Sequence, residues 1–252
     1  MKLQGQNVWL IGASSGIGAA LAPKLAAKGA TLAISARRED ELEKIAASCA
    51  PHEVLVKSLD VTDNDAVVAV YRELVASWGR VDSVIFSAGS WTAAQVTEFD
   101  SARAIEQINV NYLGLVRVVG TVMPDMIARR SGSIVGMASI AGYGGFPRAA
   151  AYSSSKAGVL AFLQSIRIEL KKFNVEVQTI SPGFVETPLT DKNDFVMPFK
   201  LDADVAADRI IEGLLAGDEE IHFPRRLSIP VKLLTALPRP AYEWIAGKLM
   251  AR

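Results

Sequence analysis

The stretch "NVWLIGASSGIGAALAPKLAAKG", residues 7–29, joins a short apolar run to a longer one through a turn rich in glycine. After Asn7 the first run is apolar at every position, the pattern of a strand buried on both faces. The second repeats its apolar residues at helical spacing, so the unit reads strand, turn, helix. Working outward, "TLAIS" (31–35) leads into "DELEKIAASC", and "EVLVKSL" (53–59) precedes "DNDAVVAVYRELVASWG". "SVIFS" (83–87) follows, then "SIVGMAS" (133–139) ahead of a helix expected over 152–172, then "VEVQTIS" (175–181) and "EEIHFP" (219–224). These runs, interleaved with helices, predict an α/β fold: one seven-stranded parallel sheet with helices on both faces. No composition shift, Pro/Ser-rich linker or internal repeat divides the chain. A single domain over 1–252 is expected.

Half of the 252 residues are apolar, enough for a well-buried core, and 27 basic residues balance 27 acidic ones. A formal net charge of zero leaves no electrostatic footprint for nucleic acid. Cys49 has no second cysteine to pair with, which fits a reducing compartment. The N-terminal "MKLQGQNVWLIG" does not read as a signal peptide, and the apolar window 105–128 is broken by Glu106 and Arg117. A soluble, cytoplasmic protein is the expectation.

In the opening turn, Gly12, Gly16 and Gly18 let the backbone approach a pyrophosphate, which the free amides of a helix N-terminus would receive. Their spacing, G-x-x-x-G-x-G, differs from the G-x-G-x-x-G dinucleotide fingerprint. At the end of the second strand the chain reads "ISARREDEL", with Ala36 where an NAD-binding fold places its acid and Arg37 and Arg38 after it. Missing carboxylate and paired guanidinium groups favour a 2′-phosphate, hence NADP(H) over NAD(H).

"AAYSSSKAG" (150–158) puts Tyr152 and Lys156 four residues apart, on one helix face. An ammonium ~4 Å from a phenolate, at an effective dielectric near 20, is worth about 4 kcal/mol, or about 3 pKa units. That would bring a phenol from near 10 toward neutrality, where acid–base catalysis works best, with desolvation opposing it. Ser139 is expected to end the fifth strand, at the sheet edge where open α/β folds bind ligands. The Gly-rich "IAGYGGFPRAAA" between Ser139 and Tyr152 would bring hydroxyl and phenol together.

Together these residues resemble the short-chain dehydrogenase/reductase family. The family's G-x-x-x-G-I-G loop matches Gly12, Gly16, Ile17 and Gly18, and its Asn-Ser-Tyr-Lys tetrad matches Asn111, Ser139, Tyr152 and Lys156. Its adenine-contacting acid matches Asp60, and its Pro-Gly turn matches Pro182 and Gly183, with Thr187 placed for the carboxamide. The matches run in family order from residue 10 to about 190. Ile11 replaces the usual Thr, and Ser87 replaces the usual Asn of Asn-Ala-Gly, although Ser87 can still bond to backbone.

The resemblance implies a Rossmann-type doubly wound domain that transfers hydride between NADP(H) and a small carbonyl or alcohol. Tyr152 would be the acid–base, Ser139 the second hydrogen bond to the substrate oxygen, Lys156 the modulator, and Asn111 the residue positioning a relay water. Cofactor contacts would also come from Ser14, Ser15, Arg37, Arg38, Val61, Ala88, Gly89 and Val185, and the assembly would be a homodimer or homotetramer. A non-catalytic NADP(H)-binding regulator would gain nothing from the tetrad. Epimerase or dehydratase relatives usually have longer chains and a G-x-x-G-x-x-G loop. Direction of reaction stays open.

Residues 189–204 are the expected substrate lid, and Phe195, Val196, Met197 and Phe199 suggest an apolar or lipid-like substrate. The tail, 225–252, is basic and amphipathic, with Arg225, Arg226, Lys232, Arg239, Lys248 and Arg252 against Glu243, beside Tyr242 and Trp244. Two readings stand: packing against the fold or another subunit, which is favoured, and contact with an anionic membrane surface. Cys49 and His52 have ligand-like spacing but no second pair, and no metal is expected. Trp78 reads as helix-end packing, and Asn109 as support for the strand-facing side of its helix.

Overall fold

The computed structural model describes residues 2–191 and 193–250, with side chains through Lys248. Lys192 of the expected lid and Arg252 of the expected tail lie outside them. Each expected run forms a strand: β1 (Asn7–Ile11), β2 (Thr31–Ala36), β3 (Val54–Ser58), β4 (Ser83–Phe86), β5 (Gly132–Met137), β6 (Val175–Pro182) and β7 (Glu220–Phe223). All pair in parallel, in the order β3-β2-β1-β4-β5-β6-β7. The order reverses between β1 and β4, and open sheets bind ligands at that kind of switch point.

The helices in chain order are α1 (Gly16–Ala27), α2 (Glu39–Ser48), α3 (Asn64–Trp78), α4 (Ser101–Ile108), α5 (Gly114–Arg129) and α6 (Ala150–Leu170). They continue with α7 (Ala203–Ala216), α8 (Arg225–Thr235) and α9 (Arg239–Met250). Successive strand residues point to opposite faces, which explains the continuous apolar runs. In β1, Val8 and Leu10 join one core with Leu21, Leu42 and Ile210 from α1, α2 and α7. Trp9 and Ile11 join the other with Val67, Val118 and Leu163 from α3, α5 and α6. The buried Trp9 indole is satisfied by donating to Ser35 Oγ at 2.9 Å.

Two local features depart from expectation. The fifth strand stops at Met137, and Ser139 lies beyond it, where its Oγ accepts from Ala141 N at 3.1 Å and caps a short turn, Ile140–Gly142. The helical window before it is not uniform either. Between α4 and α5 a π-helical turn, Asn109–Leu113, carries the fully buried Asn111. Such turns insert a residue into an otherwise regular helix and re-aim its side chains. Asn109 Oδ1 takes Arg117 Nη2 at 2.8 Å, and Trp78 ends α3 half-buried against the second core.

Lys232 of α8 and Tyr242 of α9 bond to the rest of the fold. Glu220 accepts from Tyr143 Oη at 2.5 Å, from Ser181 Oγ at 3.2 Å and from Lys232 Nζ at 2.6 Å. Tyr242 Oη donates to Gly145 O at 2.7 Å. A Cβ on Gly144 would lie 2.7 Å from Thr235 Cγ2 and 2.9 Å from Tyr242 Oη, so only glycine admits this contact unshifted. The C-terminal helices thereby buttress the loop that leads from Ser139 to Tyr152. Among the described residues no helix is long and apolar enough to cross a membrane.

Glu220 is the hub of that buttress, with its carboxyl held below the ordinary range against the opposing effect of burial by Lys232, Tyr143 and Ser181. Glu220→Ala strands three donors, one of them charged and partly exposed. Urea unfolding is expected to show a loss of about 2 kcal/mol, whereas Tyr143→Phe loses about 1 kcal/mol.

Candidate functional site

A cleft of about 610 Å³ opens at the carboxyl ends of β1 and β4, the switch point of the sheet. Its shape begins with Gly12 at φ +90, where a Cβ would stand 2.3 Å from Ala88 N. A Cβ on Gly18 would lie 2.1 Å from Gly12 O, and one on Gly16, at φ +56, would lie 2.9 Å from Thr187 Cγ2. Those at Gly12 and Gly18 are unforgiving backbone approaches, whereas the one at Gly16 meets a side chain. Beyond the loop, α1 begins with no side-chain cap from Ser15 and no acid in its first turn. Its leading amides are free donors facing an anion-sized space.

The cleft is lined by every residue expected to touch the cofactor: Gly12, Ser14, Ser15, Gly16, Ile17, Gly18, Arg37, Arg38, Asp60, Val61, Ala88, Gly89, Tyr152, Lys156, Pro182, Gly183, Val185 and Thr187. Ser139 and Ile11 line it too, as do Leu59, Val110 and Leu189, which the sequence reading did not single out. Arg38 is already anchored, its Nη2 donating to Ser14 O at 3.2 Å and Ser14 Oγ at 3.1 Å. Asp60 accepts from Thr62 N at 2.9 Å and Thr62 Oγ1 at 2.8 Å. Burial opposes its ionisation, but these bonds and the charges of Arg37 and Arg117 hold its carboxyl below the usual range. A nicotinamide dinucleotide fits this donor set: free helix amides for the pyrophosphate, an ionised carboxylate and two guanidinium groups.

Asn111 is the one tetrad residue outside the lining. Its Nδ2 donates to Ser90 O at 3.0 Å and Ser155 Oγ at 3.1 Å, and its Oδ1 accepts from Ser90 N at 2.7 Å. Both amide hydrogens are spent on protein, so the side chain pins the loop after β4 and has only oxygen lone-pair capacity left. Ser155, three residues after Tyr152 on α6, closes this link by donating to Tyr152 O at 2.7 Å. Its position on the same helix face as Tyr152 was the available signal. Ser87 bonds through its side chain to Met137 Sδ at 3.7 Å, a sulfur rather than the backbone group expected of it.

The charge arithmetic for the phenol needs correction. Lys156 is buried, and its Nζ donates to Met137 O at 2.8 Å while lying 5.7 Å from the Tyr152 ring centroid. Burial dominates both groups: it pushes the Tyr152 phenol up, with Ser139 working the other way, and pulls Lys156 down to about 8. The ammonium is committed to a strand carbonyl, so in this arrangement desolvation outweighs its attraction for a phenolate.

Elsewhere, Cys49 is buried with Sγ donating to Ile45 O at 3.3 Å, and His52 is exposed. Among the described residues no group of three or more His, Cys, Asp or Glu could hold a metal. Trp91, in the loop after β4, was not anticipated. Its ring meets Tyr152 edge-on, with centroids 5.0 Å apart.

Residues 6–195 match the short chain dehydrogenase family profile. An uncharacterized oxidoreductase of Myxococcus xanthus is 36% identical over 242 residues, covering 94% of this chain and 95% of the relative. A 3-oxoacyl-acyl-carrier-protein reductase of Thermotoga maritima is 36% identical over 224 residues, 88% of this chain and 89% of that protein. In structure, a short-chain dehydrogenase of Streptomyces avermitilis superposes with a TM-score of 0.84 at 24% identity, covering 98% of this chain and all of the other. A short chain dehydrogenase/reductase of Burkholderia phymatum, in complex with NAD, superposes with a TM-score of 0.85 at 22% identity over 92% of this chain and 94% of its own. Those two likenesses speak for the fold, and the profile and curated relatives for descent. The protein is an oxidoreductase of the short-chain dehydrogenase/reductase family.

Proposed function

We propose that the protein interconverts a ketone or aldehyde and an alcohol with NADP(H), using Tyr152 as the general acid–base. The observation that carries this reading is the meeting of Ser139, Tyr152 and Lys156 in the cleft that begins at the uncapped N-terminus of α1. A bound nicotinamide ring supplies the hydride in reduction and takes it up in oxidation. Tyr152 gives its phenolic proton to the substrate oxygen. With its pKa raised by burial it stays protonated at neutral pH, which suits the acid role.

Ser139 Oγ accepts from Ala141 N and donates only weakly, at 3.4 Å, to Pro182 O, so its proton is free to turn toward the same oxygen and stabilise the charge developing there. Lys156 keeps two of its three hydrogens for the phenol and the cofactor ribose after serving Met137 O. Asn111 holds Ser90 and Ser155 around the tyrosine and offers its Oδ1 to a relay water. Ala36 in place of an acid, with Arg38 braced on the glycine loop, supports NADP(H). The apolar lid supports an apolar substrate. The reductase named among the relatives supports a carbonyl as the oxidised partner.

Tyr152→Phe is expected to lower kcat for NADPH-dependent ketone reduction by about 100-fold or more, with NADPH binding intact by fluorescence titration. Near-normal turnover would defeat the mechanism. Replacing Arg37 or Arg38 by Ala should lower kcat/KM for NADPH about 10–100-fold and leave NADH nearly unchanged, since each removes a charge-assisted hydrogen bond to phosphate. An NADH preference in the unaltered protein would count against the assignment.

The buried lysine makes a third test through stability. Its pKa falls from the ordinary 10.5 to about 8 on folding, so the unfolded chain binds the extra proton between those values. The cost of burying the ammonium is fully present below pH 8 and is relieved as the pH rises toward 10.5. Urea unfolding at about pH 7.5 and about pH 10 should show the protein gaining roughly 2–3 kcal/mol relative to Lys156→Met. A constant difference between the two proteins would mean that burial does not depress Lys156.

A further inference from the structure

Trp91 lies outside the lining of the cofactor cleft, yet it touches both the proposed acid and the lid. Its ring is T-shaped against Tyr152, with centroids 5.0 Å apart and planes at 70°. Its Nε1 donates to Asn193 Oδ1 at 2.7 Å, across 102 positions of chain. The next lid residue, Asp194, accepts from Arg148 Nη1 at 2.8 Å and Nη2 at 3.0 Å. Arg148 holds φ at +61, a left-handed conformation unusual for a side chain of its size, and its carbonyl takes Ala94 N at 3.1 Å. The loops that precede α6 and follow β4 are therefore joined to each other, and the lid is fastened to both.

Beyond the fastening, Phe195 meets Phe184 edge-on at 6.0 Å, while Val196 and Phe199 are 88% and 47% exposed. The lid shows this much apolar surface, and its ties to the loops at Trp91 and Arg148 are one neutral hydrogen bond and one exposed ion pair, of a size that opening requires. A carbonyl oxygen must come within about 2.6–3.2 Å of the Tyr152 hydroxyl to take its proton. The rest of such a substrate then lies along the walls beside the phenol, and Trp91 is one of them. With its only polar atom committed to Asn193, the indole offers that substrate an apolar face.

We propose that Trp91 is the positioning and specificity residue of the substrate side. Its ring selects ketones with a flat or bulky apolar group next to the carbonyl, and its N–H holds the lid closed on them through Asn193. The proposal rests on Tyr152 being the acid, and it adds the substrate class that the tyrosine alone does not define.

The test uses Trp91→Phe, which keeps a ring and removes the N–H, along with Asn193→Ala, their double variant and Trp91→Ala, each checked for an unchanged thermal transition. Hydrogen–deuterium exchange over residues 193–199, without any substrate, reads the fastening directly. Each single variant should exchange several-fold faster there, and the double variant no faster than Asn193→Ala, because that variant has already lost the Trp91–Asn193 bond along with its own contact to Met197 Sδ at 3.2 Å. Additive increases, or none, overturn the fastening. Kinetics with NADPH and two ketones, one small and aliphatic and one aryl, read the selection. Trp91→Ala should raise KM for the aryl ketone by about tenfold or more with kcat for the small ketone kept within about threefold, and Trp91→Phe should keep the aryl preference. A kcat loss shared equally by both ketones overturns the specificity role. If the unaltered protein turns over neither ketone, the reading of the reaction fails, and the exchange result still decides the fastening by itself.

Discussion

At the switch point of the sheet two segments of backbone run too close together for any side chain to stand between them. Gly12 leaves β1 at φ +90 with the Ala88 amide where its Cβ would be, and Gly18 sits over the carbonyl of Gly12. Everything functional depends on that bare corner. It lets the chain leave β1 past the end of β4, where the cleft opens, and it lets α1 start without a side-chain cap there. The parallel sheet supplies the rest, since its order brings the carboxyl ends of β4, β5 and β6 to the same rim. Tyr152 and Lys156 then need only a helix that crosses that rim, which α6 provides.

The sheet was legible because burying both faces of a strand demands unbroken apolar runs, and these strands have them at β1, β2 and β4. The glycine loop and the Tyr152–Lys156 pair were legible because their chemistry depends on spacing along the chain. What escaped reading depends on contacts across it. Trp91 sits beside Asn193 and Tyr152 only after folding. The π-helical turn that aims Asn111 inward leaves no mark in an apolar window, because one added residue changes no composition. Ser139 was placed on a strand by its apolar neighbours, but its hydroxyl prefers to cap the turn that follows.

The phenol shows most clearly where local arithmetic fails. Taken as a pair, Lys156 and Tyr152 give attraction at an assumed separation. In the fold, Lys156 has an alternative partner in the carbonyl of Met137 and is buried, while Tyr152 is half-buried. Desolvation acts on each group separately and needs no geometry, whereas the attraction needs the ammonium aimed at the phenolic oxygen. Burial therefore sets the direction of both shifts.

In the proposed mechanism a phenol kept protonated can donate at neutral pH without any lysine, so Lys156 would matter most after the proton has left, when a phenolate stands in the same place. An ammonium with a pKa near 8 is still mostly charged at neutral pH, and its spare hydrogens can then turn from solvent-free idleness to the new anion. The carbonyl of Met137 keeps the charge close until it is needed. The buttress at Glu220 and the ring of Trp91 flank the tyrosine from two sides, where an acid of the proposed kind needs water kept out. On that proposal the acid and its enclosure form one device, assembled from segments that the chain itself sets far apart.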